Sequence, residues 1–408
     1  MGRLLDRTFR DAGGRVVSAL AAAFRDLDLA EEAFAEACAR AAGRWGDAPP
    51  ADPAAWLYAV ARRVAVDRVR RRTTAAAWQP DAAPPEPTPE DHVMALDQPI
   101  PDERLRLIFV CCHPAVSPDA RAALTLRTVC GLTTAEVATA FLIPEATLAQ
   151  RLVRAKRKIA DAGVPYEVPT PDRWPERIDA VLSTLEVAYA QAHADAAGAG
   201  PHAAFAPEML TLSGLLAALV PDDAEVQALA ATFHYAEARR PARLGPDGAL
   251  VPLADQEPAE WNAPLITGAE ALLARSAVCS RRQGTLPGPR ALQAAIHGAH
   301  AARARTGRTD WTAILGLYNL LLAQRDDPVI RTNRAVALAE VEGPAAALDA
   351  LLTVEADGWL PLHAARAEMF ARLGWTADAR QEYTAALALS PSPAEALFLR
   401  RRRETLDA

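Results

Sequence analysis

A proline-rich stretch divides this chain of 408 residues into parts that we expect to fold separately. Seven prolines fall between Pro80 and Pro101, together with several acidic residues. Such a composition favours an extended, semi-rigid linker over a packed segment. We therefore predict a linker over residues 76–101 with helical modules on both sides, in keeping with the two to four domains expected for this length.

The rest of the sequence favours helices. Hydrophobic residues make up 51% of the chain, alanine dominates, and runs of β-branched residues are scarce. Alanine, leucine and arginine are among the best helix formers, and apolar residues recur at helical spacing in segment after segment. The sequence therefore predicts an all-α fold.

Composition also limits the classes of protein to consider. No stretch approaches the roughly 18 apolar residues of a membrane span, and the N-terminus lacks the pattern of a signal peptide. An odd number of sparse cysteines is typical of reduced thiols in the cytoplasm. These cysteines are Cys38, Cys111, Cys112, Cys130 and Cys279. We expect a cytoplasmic protein without a membrane contact.

Charge is divided unevenly along the chain. Residues 1–165 carry a net charge of +1, whereas residues 166–408 carry a net charge of -8. The only two lysines, Lys156 and Lys158, lie in one short segment beside three arginines. Clustered cations on a chain that is acidic overall indicate a local surface for a polyanion.

That segment has the pattern of an amphipathic helix. An apolar stripe is formed by Leu148, Leu152, Ala155 and Ile159. The polar face holds Gln150, Arg151, Arg154, Arg157 and Lys158. Gln and Arg side chains can read adenine and guanine in the major groove, and further cations can neutralise phosphates. The alternative is a solvated surface helix whose charges only aid solubility.

The residues before this helix complete a helix-turn-helix pattern. Thr133 and Glu136 have the spacing of a capping box, which starts a first short helix. A break follows at Ile143 and Pro144, and we expect Pro144 to be the first residue of the second helix. Two short helices joined by a tight break are typical of DNA-binding proteins.

A second basic patch ends a helix that we expect to start at Asp52 and Pro53. The patch contains Arg62, Arg63, Arg68, Arg70, Arg71 and Arg72, with Asp67 among them. Cations near aromatic residues such as Trp56 suit strand-separated DNA. It is equally consistent that Trp56 is a core residue and that the arginines complement the negative end of the helix dipole.

An internal repeat lies near the C-terminus, where residues 331–352 and 363–387 align. The second copy has the small and aromatic spacing of a tetratricopeptide repeat. The positions that carry it are Ala367, Phe370, Ala379, Tyr383, Ala386 and Pro391. Small residues let paired helices approach, and aromatic residues fill the space between repeats.

The order of these features resembles a bacterial RNA polymerase sigma factor of the extracytoplasmic-function (ECF) type. Residues 26–41 resemble the polymerase-binding helix of region two, and residues 52–72 resemble the helix that opens and reads the -10 element. Residues 133–159 resemble the region-four motif that reads the -35 element. Residues 104–118 and the long helical extension are similar to a subgroup with a tetratricopeptide-like C-terminal domain.

The resemblance implies four parts. These are a region-two domain over 1–75, the linker over 76–101, a region-four helix-turn-helix domain over 102–165, and a regulatory helical domain over 166–408 with repeats near 310–404. It implies RNA polymerase core and promoter DNA as partners, no catalytic activity of its own, and a protein or peptide partner for the repeats.

The resemblance also implies roles for individual residues. Polymerase would be bound by Asp28, Glu31, Glu32, Phe34 and Glu36. The -10 strand would meet Arg62, Arg63 and Asp67. The -35 major groove would receive Thr147, Gln150, Arg151, Arg154 and Lys158.

Other sites are not supported by the sequence. Cys111, Cys112 and His113 lack a second ligand pair at zinc spacing, so we expect a buried, reduced cysteine pair, no metal and no cofactor. No phosphate-binding loop is present, and the histidines form no catalytic pattern. The main alternative function is a one-component helix-turn-helix regulator with a tetratricopeptide-like sensor domain. The second alternative is a scaffold protein in which the repeats carry the function and the helix-turn-helix only packs.

Overall fold

The helices of this chain were located in a computed structural model. The structure describes residues 2–45, 50–76, 103–129, 131–141, 143–167, 169, 174–194 and 206–407. They belong to two compact units, 1–191 and 192–408, which are treated separately below. The linker predicted over residues 76–101 lies outside the described residues except for Ala76, and Cys130 lies outside them as well.

The first unit contains eight described helices. They are α1 (Gly2–Phe24), α2 (Leu27–Arg44), α3 (Pro53–Ala76), α4 (Arg104–Cys111), α5 (Pro118–Thr128), α6 (Thr134–Ala140), α7 (Glu145–Asp161) and α8 (Trp174–Ala194). Helices α1, α2 and α3 pack against one another, and α5, α6 and α7 form a second group. Helix α1 also contacts α4 and α5, so the two groups share one unit.

Side-chain caps explain where several of these helices begin. Asp26 accepts the backbone N–H of Leu29 at 2.9 Å, which starts α2. Asp52 accepts the N–H of Ala55 at 2.9 Å, with Pro53 as the first residue of α3, as predicted. Each such cap satisfies a donor that the helix leaves unpaired.

The predicted capping box at the start of α6 is present. The Glu136 carboxylate accepts the backbone N–H of Thr133 at 2.7 Å, and the Thr133 hydroxyl accepts the N–H of Glu136 at 3.2 Å. The second helix of the motif begins one residue later than predicted. Pro144 has an extended ψ of 141° and precedes α7, which starts at Glu145. Proline has no N–H with which to continue the preceding helix, so Pro144 still marks the break.

The predicted apolar stripe of α7 is buried. Its residues Leu148, Leu152, Ala155 and Ile159 are all buried, as predicted. In α3, Val64 is buried and Val69 is 39% exposed. Leu57 and Ala61 are also buried in this helix, which packs against α1 and α2.

Gly14 allows α1 to approach α5 very closely. A Cβ atom at Gly14 would lie 1.9 Å from the carbonyl oxygen of Val129, far inside van der Waals contact. Only glycine avoids this collision with backbone that cannot rotate away. The contact between the N-terminal helix and the helix-turn-helix group therefore depends on this one residue.

Helix α8 is joined by two hydrogen bonds to α4 and to the residue that follows it. Arg177 donates to the carbonyl oxygen of Phe109, and Thr184 is hydrogen-bonded to Cys112. Val181 and Leu185 are buried. The division between the two units falls within this helix, between residues 191 and 192. The C-terminal domain that the resemblance implies starts earlier, at residue 166.

The second unit is a succession of helices. They are α9 (Ala206–Leu219), α10 (Ala224–Ala238), α11 (Ala263–Gln283), α12 (Pro289–Ala301), α13 (Arg303–Thr306), α14 (Trp311–Gln324), α15 (Pro328–Val341), α16 (Pro344–Leu352), α17 (Leu360–Arg372), α18 (Thr376–Ala388) and α19 (Pro393–Glu404). The irregular segment between α10 and α11 contains an isolated antiparallel bridge of Leu244 with Leu250 and two short 3-10 turns.

The core of the second unit is a series of buried clusters, each formed by helices that are neighbours in sequence. One buried cluster joins α10, α11 and α12, and further clusters join α12 with α14 and α15, α15 with α16 and α17, and α17 with α18 and α19. A core divided among sequential neighbours is typical of repeat proteins. The repeat positions Ala367, Ala379, Tyr383 and Ala386 are buried in α17 and α18, and Phe370 is half-buried.

Candidate nucleic-acid interface

Helix α7 presents three different surfaces around its buried stripe. Successive residues are separated by about 100° around a helix, so the side opposite the stripe contains Gln150, Val153 and Arg157. All three residues are exposed. One flank carries Arg151, Arg154 and Lys158, and the other flank carries Lys156. The five residues predicted for the major groove lie within an arc of about 100°, with Gln150 at the edge nearest Val153 and Arg151 at the edge nearest the buried stripe.

The first flank lines a cleft with the start of α5. The cleft has a volume of about 300 Å³, and its polar lining comes from Ser117, Arg151, Arg154 and Lys158. Three cations within two turns of one helix create a positive potential there, and Ser117 adds a hydroxyl donor. Cationic side chains gathered around a cleft of this size can hold a phosphate oxygen.

Thr147 and Gln150 stand on the first turns of α7. Both are exposed, together with Ala146 and Ala149. The N-terminal residues of a recognition helix are the ones that contact base edges in helix-turn-helix proteins. Gln150 is thus the outward residue best placed for base recognition, and Thr147 lies between it and the cleft.

Lys156 on the second flank contacts the acidic helix α2. Its ammonium group lies 3.0 Å from Oε2 of Glu31 and also pairs with Asp28. The side chains of Lys156 and Glu31 are only 17% and 19% exposed. Burial alone lowers the pKa of Lys156, but Glu31 and Asp28 outweigh this and hold that pKa above its ordinary value.

A polar crevice surrounds this ion pair. It has a volume of about 670 Å³ and is lined by the start of α2, the end of α7 and the segment that follows α7. Tyr166 lies at its edge, and burial raises the pKa of that phenol to about 12. The Oε1 atom of Glu31 is buried and has no hydrogen-bond partner among the described residues.

The other acidic residues of α2 also form ion pairs. Glu32 pairs with Arg68 of α3, and Glu36 accepts from Arg40 at 3.0 Å one turn along the same helix. Phe34 is half-buried beside Gly13 of α1. All the acids predicted to bind polymerase therefore carry a cationic partner within the first unit, so an external partner has to exchange with these contacts.

Helix α3 divides its arginines between two surfaces. Arg68 and Arg72 pair with Glu32 and Asp26 of α2, whereas Arg62 and the acidic Asp67 are exposed. Arg63 is exposed as well. Trp56 packs against Trp45, with ring centroids 5.3 Å apart and planes at 69°. Trp56 is therefore a packing residue, and Arg62, Arg63 and Asp67 form the accessible surface of this helix.

The cysteine pair in α4 is part of the core. Cys111 and Cys112 are both fully buried and lie within 3.4 and 3.9 Å of the hydroxyls of Thr128 and Thr125. Burial raises the pKa of the Cys112 thiol. In the part of the chain that the structure describes, no group of three or more His, Cys, Asp and Glu residues could hold a metal ion.

Three residues of these surfaces are absent from the predicted site residues. Lys156 was counted only as part of a cationic cluster, since its pairing with α2 joins positions more than 120 residues apart. Ser117 was not considered because it belongs to another helix. Val153 could have been found, because helical spacing alone places this large apolar residue opposite the buried stripe.

Comparison with known proteins adds independent evidence. Residues 8–74 match the family model for sigma-70 region 2, and residues 106–159 match the model for sigma-70 region 4. Residues 177–277 match a family of unknown function, DUF6596. An uncharacterized protein of Rhizobium meliloti is 37% identical over 411 residues, which covers 99% of this chain and 96% of that protein. No solved structure matches the chain.

The two sigma-70 matches fall on the helices that carry the surfaces described above. The region 2 match covers α2 and α3, and the region 4 match covers the helix-turn-helix of α6 and α7. Sigma factor families are not enzymes, and among the described residues no helix is long and apolar enough to cross a membrane. This chain belongs to the sigma-70 family as an ECF-like sigma factor with a C-terminal extension, and it directs RNA polymerase to promoters.

Proposed function

We propose that α2 binds the polymerase core through the acidic residues that Lys156 and Arg68 engage in the free protein. The residues assigned to this contact are Asp28, Glu31, Glu32, Phe34 and Glu36. Their support is a row of carboxylates on one helix, of which Asp28 and Glu32 remain exposed. Docking replaces the lysine by cations of polymerase, so the contact between α2 and α7 has to open.

Separation of α7 from α2 would also allow both DNA elements of a promoter to be bound at once. A promoter presents its -10 and -35 elements about 25 base pairs apart, roughly 85 Å at 3.4 Å per step. Helices α3 and α7 cannot reach both elements while α7 lies against α2. We propose residues 76–101 as the linker between the region-two and region-four domains, within the proposed domain limits of 1–75, 102–165 and 166–408.

For the -10 element we assign Arg62, Arg63 and Asp67. All three are exposed on α3, away from the arginines that pair with α2. Arginine can both neutralise phosphates and stack on bases in separated strands. Asp67 supplies an acceptor for an exocyclic amine.

For the -35 element we divide the predicted residues by their position on α7. Gln150, with Thr147 beside it, contacts base edges. Arg151, Arg154 and Lys158 bind a backbone phosphate in the cleft beside Ser117. Phosphate contacts position a protein on the duplex, whereas base contacts specify its sequence.

The C-terminal helices are proposed to regulate the sigma factor through a protein or peptide partner. Support comes from the helix pairs α15–α16 and α17–α18, which carry the buried small and aromatic residues of tetratricopeptide-like repeats. Leu320, Val329 and Val336 are large apolar residues that remain exposed on α14 and α15. We further propose that the protein acts in the cytoplasm, where polymerase and promoter DNA are found, and that it has no catalytic activity of its own.

The observation that carries the proposal is the placement of an acidic helix and an outward-facing Gln150 in the two segments that match sigma-70 regions. The test is transcription in vitro with purified core polymerase and the full chain on a genomic library, followed by mapping of start sites. We expect a defined promoter class. A chain that neither co-purifies with core polymerase nor selects promoters would instead be a one-component regulator.

Regulation is tested separately by a truncated chain that ends at residue 191. This limit keeps the contacts of α8 with α4 intact. We expect promoter-specific output to change on truncation, and adding back residues 192–408 in trans to restore it in part. If promoter-specific transcription, in vitro and in cells, is the same for the truncated chain and the full chain, a regulatory role is excluded.

A further inference from the structure

Helix α7 exposes an apolar strip on the side that faces away from its core. Val153 is 62% exposed, more than Val69 or Val187, the other large apolar residues that are exposed in the described part of the first unit. Ala146 is exposed one turn before Gln150, and Val153 follows Gln150 by three residues. At 100° per residue the three lie within an arc of about 60°, so they form one strip.

The surroundings of the strip point to a particular kind of ligand. Arg154 and Arg157 are exposed beside Val153, and no acidic residue lies between Glu145 and Asp161 on this helix. A surface of methyl groups bordered by cations fits a partner that presents methyl groups between anions. The major groove of DNA does so wherever a thymine places its C5-methyl group between the phosphate backbones.

We propose that Ala146 and Val153 contact thymine methyl groups of the -35 element, one on each side of the base pair that Gln150 reads. Seven residues span about 10.5 Å along a helix, which equals about three base-pair steps of 3.4 Å. The two apolar residues and Gln150 therefore reach successive positions in one groove. The preferred element contains thymine at the positions that face Ala146 and Val153. This inference rests on the proposed role of α7.

The test replaces each thymine of the mapped -35 element, one at a time, by deoxyuridine, which lacks only the methyl group. Binding of holoenzyme to each promoter is measured for the full-length wild-type chain and for Val153→Ala. We expect two substitutions, one facing Ala146 and one facing Val153, each to weaken wild-type binding by up to about fourfold, the value of one buried methyl group. In Val153→Ala the substitution that faces position 153 should lose most of its effect, because the contact with the valine methyl groups is already lost, whereas the one that faces Ala146 should keep its effect.

Two control variants make the outcome decisive. Val187→Ala removes an exposed valine from α8 in the same unit and should keep the full sensitivity to deoxyuridine. Val153→Thr retains one methyl group and should keep part of the sensitivity to deoxyuridine. If every thymine gives the same loss with Val153→Ala as with the wild type, or if Val153→Ala weakens only the binding of core polymerase, the proposal is wrong.

Gln150→Ala separates this inference from the proposed function. If α7 reads the -35 element, this variant selects a different or less specific sequence from the library. A change with Gln150→Ala but no coupling at Val153 overturns the methyl contact alone. No change with Gln150→Ala, in a chain that still binds core polymerase, overturns the role of α7 itself.

Discussion

The ammonium group of Lys156, on the helix proposed to enter the -35 groove, lies 3.0 Å from the carboxylate of Glu31 on the helix proposed to bind polymerase. Both side chains are more than four-fifths buried. A pair at this depth is costly to break from one side, because the remaining charge keeps its burial and loses its partner. The free protein therefore holds its two binding helices against each other.

We predict that Lys156→Gln raises the affinity for core polymerase. The variant removes the cation that competes for Asp28 and Glu31, so a larger fraction of the chain has these carboxylates available. A stabilisation of about 1.4 kcal/mol by the pair corresponds to about a tenfold change in affinity. Titration of labelled core polymerase measures it. Lys158→Gln, which removes a lysine that makes no contact with α2, should leave core affinity unaltered.

Gly14→Ala should loosen the contact between α1 and α5. The added Cβ would lie 1.9 Å from the Val129 carbonyl oxygen, so α1 and α5 have to separate. We expect the free energy of unfolding of the first unit to fall by roughly 2 kcal/mol. The matched control is Gly43→Ala in α2, where no atom lies within 4 Å and alanine should stabilise the helix by roughly 0.5–1 kcal/mol.

Urea unfolding of both glycine variants distinguishes the two effects. The first should shift the midpoint down and the second slightly up. Equal shifts would mean that α1 and α5 are not in close contact in solution.

Substitutions in the cleft should change salt dependence rather than sequence preference. For Arg151→Gln and Lys158→Gln we predict weaker promoter binding on all sequences, with each variant lowering the slope of log affinity against log salt by about 1. Gln150→Ala should instead relax the choice of base and leave the slope unaltered. Anisotropy titrations at several salt concentrations separate these outcomes. A base-specific defect in Lys158→Gln would contradict the phosphate assignment.

The second unit should lose stability in mild acid because of His300. Burial, with Arg239 and Arg303 adding to it, lowers the pKa of His300 to about 4 from its ordinary value of 6.5. Above pH 6.5 the ring is neutral in the folded and unfolded states, and as pH falls towards 4 only the unfolded state gains the proton. We expect the fold to lose up to about 3 kcal/mol over this window.

His300→Phe tests this prediction. The ring of His300 packs edge-to-face on Trp311 with centroids 5.3 Å apart, and phenylalanine can keep that contact without titrating. Hydrogen exchange in α12 and α14 of the full chain, compared between variant and wild type at pH 7 and again at pH 5, should show protection retained only by the variant at pH 5. The same loss in both proteins would assign the pH dependence to other groups.

Helix-forming segments were predictable because the information they need is local. The spacing of Leu148, Leu152, Ala155 and Ile159 defines the buried stripe of α7, and Thr133 with Glu136 marks the start of α6 through bonds between residues three apart. The repeat positions around Tyr383 were equally local. Residue types alone also indicated the cationic and acidic surfaces, since clusters of charge need no tertiary contact to be recognised.

The sequence by itself therefore determined the helices, their caps, their apolar stripes and the family to which they belong. Only the tertiary structure decided that Lys156 turns to Glu31, that Arg151, Arg154 and Lys158 face Ser117, and that Gly14 meets Val129. The physical reason is that helical periodicity specifies which side of a helix avoids water. The partner of each polar side depends on packing between segments far apart in the chain, which no local pattern encodes.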